Sequence, residues 1–345
     1  MARSSDRAPY RLRTVRTDGT PVYWYPVPPG MPPVRVTRID FGVEHPHLPP
    51  DHRHAHEFLV LIYIERGGSA MVLGGRNTPL RDGDLYAIPP GQVISPADLA
   101  GLERCRAWNV AFTPDAVPSL ASVSPLAWAH HPLLAPFATG IGSPTSIGAA
   151  DTDIAGTDAG DAGTGAGTGE PATAARAQIA PVGMTVPEAE RPRWSAWMAE
   201  LAEELAEPGR LGARDAASAL LTRILIAAAR LAPSALAPPD PLVTRVFDEI
   251  EATFRDPVSA ADVARALGYT PGYLTTVVRE RTGRTLLDWI TERRMTEVRR
   301  ILRDTDLPLG VVAARTGLRD ATYLVRRFKD RYGTTPHRWR RNERT

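Results

Sequence analysis

The chain has 345 residues, 43% of them hydrophobic and 23% charged, enough for two domains with cores of their own. No apolar run reaches the roughly eighteen residues of a membrane span, and the basic N-terminus (MARSSDRAPYRLRTVRTDGT) lacks the apolar core of a secretory signal. The one cysteine, Cys105, excludes an internal disulfide, so a reducing cytoplasm is the expected location, without membrane partners. The formal net charge of +2 hides an asymmetry: residues 241–345 carry 21 Lys and Arg against 14 Asp and Glu, and residues 1–240 carry 20 against 25. A local basic excess of this kind is what phosphate binding requires.

Residues 1–33 read as a flexible, proline-rich arm around an aromatic cluster, Tyr23-Trp24-Tyr25. Residues 34–141 alternate with period two in short runs (VRVTRIDF, EFLVLIYIERG, SAMVLGG, LYAIPPG, RAWNVAFTP) separated by turns such as RDGD, the pattern of a small β-barrel or sandwich. The piece PLAWAHHPLLAPF is expected to pack a short helix or turn on it. Residues 142–187 are built mainly from Gly, Ala, Thr, Asp and Ser and hold too little apolar surface to offset chain entropy, so a disordered linker is expected. Residues 188–240 contain two helical stripes, Trp194, Trp197, Met198, Leu201 and Leu205 and then Leu220, Leu221, Ile224, Leu225 and Ile226, broken at Pro208-Gly209 and followed by a Pro-rich tether. This helical hairpin serves equally well as part of the core or as a dimer seam.

Residues 241–345 contain two copies of one pattern. Val243, Phe247, Ile250 and Phe254 line one helix face. Ser259 caps a second helix with Asp262 in its first turn, and Gly268 ends it. Thr270 and Pro271 open a third helix, which buries Leu274, Val277 and Val278. Short helix, glycine turn and capped second helix make a helix-turn-helix. The pattern recurs with Leu307–Thr316, Gly317 and a helix Ala321–Tyr332 capped by Asp320. Between the copies runs Leu286–Asp304, which as a helix spans roughly 28 Å at about 1.5 Å per residue. Major-groove entries on one DNA face lie about 34 Å apart, so such a helix could present two reading helices to adjacent turns of one duplex.

The segment Gly317–Arg340 (GLRDATYLVRRFKDRYGTTPHRWR) resembles the signature of the AraC/XylS family of bacterial transcription regulators. Gly317, Asp320, Tyr323, Arg326, Phe328, Lys329, Gly333, Thr335, Pro336 and Arg340 match it, while Leu318, Thr322, Leu324 and Trp339 depart conservatively. Leu267–Leu274 and Arg294–Val298 resemble the first half of the same domain. The order of pieces before residue 141 is similar to the cupin barrel that many such regulators use as a sensor: His54, His56, Gly83, Pro89 and Gly91 fit its two motifs, but Ile94 stands where the closing histidine would be. With Val60 and Leu61 near the place of the motif glutamate, His54 and His56 alone make a poor metal site, so no catalytic metal or cofactor is expected.

The resemblance implies an α+β multidomain chain: a cupin-like barrel with a helical hairpin, then an all-α reader with two helix-turn-helix units joined by a long helix. It implies a DNA-binding regulator, most simply an activator, that responds to a small-molecule effector, forms a homodimer and works with RNA polymerase; it does not imply an enzyme. Side chains on the solvent faces of the reading helices are the candidates for double-stranded DNA: Gly272, Thr275, Thr276 and Arg279 in the first unit, Ala321, Thr322, Val325 and Arg326 in the second. Arg326 could grip a guanine or a phosphate. Arg284, Lys329, Arg338 and Arg340 are further phosphate candidates, and His54, His56, Tyr63 and Trp108 are the candidates for the effector pocket. An alternative is a metal-responsive regulator using the His45–His56 cluster; a cupin enzyme with an attached regulatory domain is a third reading, against which stands the lack of any paired acid/base or nucleophile constellation.

Overall fold

The computed structural model describes residues 10–16, 18–25, 27, 30–40, 52–73, 75–97, 104–138, 182–233, 240–282 and 284–344. Among these residues, eleven strands form two sheets. The six-stranded sheet contains β1 (Arg11–Val15), β2 (Pro21–Trp24), β4 (His54–His56), β9 (Val93–Pro96), β6 (Ser69–Leu73) and β7 (Arg76–Leu80), in the order β1-β2-β4-β9-β6-β7. The five-stranded sheet contains β11 (Val182–Thr185), β8 (Asp84–Ile88), β5 (Leu59–Arg66), β10 (Arg106–Phe112) and β3 (Val34–Asp40), in the order β11-β8-β5-β10-β3.

Strand alternation decides what faces what. Val60, Ile62 and Ile64 of β5 pack with Met71, Leu73 and Ile94 of the other sheet into an inner core. Leu59, Leu61 and Tyr63 point the opposite way, toward the helices. Buried on both faces, β5 reads as a continuous apolar run, as such strands must. Short 3-10 helices at Pro114–Ala116 and Pro125–His130, and the single turn α1 (Ala135–Ala138), fill the place where a short helix or turn was expected.

The helical hairpin forms as expected from α2 (Arg191–Ala206) and α3 (Ala213–Leu231). Its stripes, Trp194, Met198 and Leu201 with Leu221, Ile224 and Leu225, are buried in the same core as Tyr63 and Val110, so they pack within this chain. Two segments differ from the sequence expectation. The arm expected over residues 1–33 contains a hairpin, β1 and β2, that extends the six-stranded sheet, because Tyr23 and Tyr25 are buried there. The linker expected over 142–187 ends in β11, which pairs with β8 and buries Met184 and Val186; residues 142–181 lie outside the described residues.

The C-terminal half is helical: α4 (Pro241–Thr253), α5 (Ala260–Ala266), α6 (Pro271–Thr282), α7 (Leu286–Asp304), α8 (Leu309–Arg315), α9 (Ala321–Tyr332) and α10 (Pro336–Arg344). Its local signals are realised as read. Ser259 Oγ accepts from the Asp262 N–H while the Asp262 carboxylate accepts from the Ser259 N–H, a capping box. Asp320 accepts from the Tyr323 N–H at 2.7 Å. Gly268 and Gly317 turn the chain at φ 79° and 66°. The nineteen-residue α7 joins the two helix pairs. Arg293 and Arg294 of α7 do not lie on a solvated face. Instead Arg293 makes a bidentate pair with Glu251 at 2.7 Å and lies over the Phe254 ring, while Arg294 donates to the carbonyls of Phe254, Asp256 and Val258.

Candidate nucleic-acid interface and the cavity behind it

The candidate reading helices are α6 and α9. Leu274 and Val278 anchor α6, and Leu324 and Phe328 anchor α9; all four are buried at the three- and four-residue spacing of one helix face. The opposite faces are open. Gly272, Thr276 and Arg279 are exposed on α6, with Thr275 partly so. On α9, Thr322, Arg326 and Lys329 are exposed, with Ala321 and Val325 partly so. Nine of the twelve DNA candidates therefore lie on these two faces. Tyr273 is also exposed on α6, stacked on Tyr269 at 5.6 Å, and the sequence reading passed it over.

The other three candidates are placed differently. Arg284 faces Glu292 at 3.6 Å and lies over the Trp289 ring. Arg340 donates to the Leu307 carbonyl at 2.7 Å, tying α10 to the start of the second helix pair. Arg338 is exposed but lines a cavity that faces the N-terminal domain. Arg284 and Arg340 are thus engaged within the protein, and Arg338 is not.

The helical half meets the N-terminal half through ion pairs from α7 and from the C-terminal end of α9. Asp115 in the first 3-10 helix pairs with Arg299 of α7 at 2.7 Å, and both side chains are largely buried. Arg331 of α9 joins Glu292 of α7 at 3.0 Å and Glu57 at 3.4 Å. Burial alone would raise the Glu292 carboxyl, but Arg331 and Arg284 outweigh it and bring its pKa down to about 2. Burial likewise opposes ionisation of Asp115, and Arg299 overrides it, holding that carboxyl below its ordinary range. The Trp24 ring lies where a Cβ on Gly333 would meet it at 2.9 Å. Behind these contacts is a cavity of about 440 Å³ shared by the two halves.

The four effector candidates do not converge. Tyr63 and Trp108 are cross-strand partners on the outer face of the five-stranded sheet, where the Tyr63 hydroxyl donates to the Arg191 carbonyl at 3.3 Å and its ring packs on Trp194. His54 and His56 lie on β4 in the other sheet, their rings 4.7 Å apart, among Tyr10, Tyr23 and Phe58. Burial, then the neighbouring His54, hold the His56 pKa well below its ordinary value, so it is a neutral imidazole. Ile94 is the register partner of His54 and packs into the inner core, where a closing histidine would have to point. Among the described residues no three His, Cys, Asp or Glu side chains gather as a metal site; His45 and His47 of the expected cluster lie outside the described residues.

Comparison with known proteins agrees with both halves. A family model described as an AraC-like ligand binding domain matches residues 44–122, and one described as a helix-turn-helix domain matches residues 263–342. The multiple antibiotic resistance protein MarA of Escherichia coli is 30% identical over 95 residues, which are 28% of this chain and 75% of MarA. The chain belongs to the AraC/XylS family of transcription regulators. The regulator GlxA of Rhizobium meliloti is 29% identical over 101 residues, covering 29% of this chain and 31% of GlxA. Among solved structures, the C-terminal domain of AraT, a response regulator from Geobacillus stearothermophilus, is 28% identical over 29% of this chain and 84% of that one, with a TM-score of 0.29. As an AraC-family regulator, the protein joins a ligand-binding domain to a DNA-binding helix-turn-helix domain.

Proposed function

We propose that this regulator reads double-stranded DNA with two helix-turn-helix units, α5–α6 and α8–α9, and that a small molecule held by a cupin-like N-terminal barrel governs the reading. The observation that carries this is the exposure of Thr276 and Arg279 on one reading helix and Arg326 and Lys329 on the other, while the opposite faces of both helices are buried. Arg326 has the planar fork for a bidentate guanine contact, worth about 1–3 kcal/mol of discrimination. Threonines on α6 can accept a hydrogen bond or touch a thymine methyl, so α9 supplies most of the selectivity. The chain works by binding rather than turnover, in the cytoplasm, as an activator that contacts RNA polymerase. Because the apolar stripes of α2 and α3 are used inside the chain, a homodimer would form on another surface.

A genome-wide footprint of the tagged protein in its host tests this reading. Sharp sites beside a few operons are expected. Arg326→Ala should abolish the sharp sites while leaving weak, broad occupancy. Broad occupancy by the wild type with and without candidate metabolites would refute sequence-specific reading.

A further inference from the structure

The two candidate reading helices are copies of each other. Both have twelve residues, Pro271–Thr282 and Ala321–Tyr332, and each residue of the second stands fifty positions after its counterpart. Each opens the same way: the Leu274 N–H donates to the Thr270 carbonyl and the Leu324 N–H to the Asp320 carbonyl, both at 3.0 Å. Leu274 and Leu324 are equivalent and buried, as are Val278 and Phe328, and Tyr273 matches Tyr323. The copies then part. Where the first has Tyr269, Thr276 and Val277, the second has Arg319, Arg326 and Arg327. Since α6 forms without any of these guanidiniums, folding a helix of this kind does not call for them.

In the second copy the three arginines share one ring. The guanidinium carbons of Arg319, Arg326 and Arg327 lie 5.9, 5.4 and 5.5 Å from the centroid of Tyr323. The ring is itself anchored, half-buried on the core that holds Leu324 and Phe328. Arg327 Nε donates to the Tyr323 hydroxyl at 3.1 Å, and Arg319 Nε donates to the Asp320 carboxylate at 2.8 Å. In the first copy Tyr273 stacks on Tyr269 instead. Cations are favoured at the C-terminal end of a helix and disfavoured ahead of its N-terminus, where Arg319 stands. Three like charges around one ring also repel one another, an arrangement that an arriving anion relieves. Thr322 and Arg326 lie on the open face of α9, and Tyr323 with Arg327 forms the neighbouring row, four residues apart on its flank. A helix with its side chains is about 10–12 Å across and the major groove about 12 Å wide, so the flanks of an inserted helix meet the phosphate walls.

We propose that Arg319, Arg326 and Arg327 form a DNA clamp built on Tyr323. Arg326 meets a base edge, Arg319 and Arg327 meet phosphates, and Tyr323 is the positioning residue that holds Arg326 ready for the base. This rests on the regulator reading and adds two backbone contacts and the residue behind the selective one. The first unit, with no guanidinium at any of the three places, has no such clamp.

Anisotropy titrations of the full chain with two labelled duplexes test the inference. Both have about 30 base pairs, enough to span two successive major grooves. One carries the sequence that the wild-type chain enriches from a random pool, and the other is an unselected member of that pool. Arg319→Gln and Arg327→Gln should each lower the slope of log affinity against log salt by about one on both duplexes and leave the ratio of the two affinities intact. Tyr323→Leu, with helical circular dichroism unchanged, should lower that ratio about tenfold, as Arg326 loses its support. Tyr323→Phe keeps the ring and should keep the wild-type ratio. Arg76→Gln, on β7, should alter neither quantity. An unaltered slope in either arginine variant, an undiminished ratio in Tyr323→Leu, or an equal loss of ratio in Tyr323→Phe overturns the proposal. The arginine variants and Tyr323→Phe decide it should Tyr323→Leu not fold. A wild-type chain that enriches no sequence would remove the regulator reading, while slopes on the unselected duplex would still decide the phosphate contacts.

Discussion

Gly268 and Gly317 occupy equivalent turns of the two helix pairs, yet alanine should cost very different amounts at the two positions. Both sit in the left-handed region, at φ 79° and 66°, where an L side chain costs about 1 kcal/mol or somewhat more. A Cβ at Gly268 meets nothing within 4 Å. A Cβ at Gly317 would lie 2.5 Å from the Phe254 carbonyl oxygen and 2.7 Å from that of Asp256. Those are the carbonyls that Arg294 holds, at 2.8 and 2.7 Å. Making room therefore moves the end of α4 away from the guanidinium and loosens at least one hydrogen bond to a charged donor, worth about 1.5–3 kcal/mol. Gly268→Ala should destabilise by about 1 kcal/mol and Gly317→Ala by about 3–4 kcal/mol. Urea unfolding of the full chain, followed by helical circular dichroism at 222 nm, measures both. In an Arg294→Ala background the excess at Gly317 should shrink, because one of the interactions being disturbed is already gone. Equal losses at the two glycines, or an excess that ignores Arg294, would refute the junction described here.

Lys329→Ala should lower the slope of log affinity against log salt by about one, as for a lost phosphate contact, whereas Arg340→Ala should leave the slope alone and reduce stability by about 1–2 kcal/mol, because its partner is the Leu307 carbonyl. Salt-dependent gel shifts and unfolding curves separate the two. Glu292 is held at about 2 against an ordinary 4.5, so its contribution is fully present above about pH 4.5 and is lost as the pH falls toward 2. That contribution is on the order of 3 kcal/mol for a shift of this size in a side chain this buried. Glu292→Gln should therefore be clearly less stable at pH 7 and nearly equal to wild type only near pH 2; a gap that ignores pH would remove Glu292 as the responsible group. Replacing Asp115 by Leu strands the Arg299 charge against an apolar neighbour and should loosen the two halves from each other, read as faster proteolysis after residue 233; unchanged cleavage would mean that the pair does not hold them together.

Much of the helical half was legible because its signals are local. A capping serine with an acidic residue three positions on, or a glycine just past a short helix, states a helix boundary without reference to distant chain. Ser259, Asp262, Gly268, Gly317 and Asp320 all act where their sequence context placed them. The spacing of Leu274 with Val278 and of Leu324 with Phe328 likewise settled which faces of α6 and α9 are buried, and hence which side chains are open to solvent.

What a guanidinium does once its helix is formed was not legible, because an arginine carries the same charge whether it meets a phosphate, a carboxylate or a carbonyl. Arg326 and Lys329 are open to solvent, but Arg284, Arg294 and Arg340 are turned inward to Glu292, the end of α4 and Leu307. The sheets show the same limit. Alternation gave β5 and β10 their period, but not the shared position of Tyr63 and Trp108 on the helix side, away from His54 and His56. Nor could any single stretch announce the cavity, whose walls come from β1, β2, the 3-10 segment, α7 and α10. Local chemistry determined the elements and the open faces of α6 and α9; long-range packing decided which charges are internal and where the two halves enclose space.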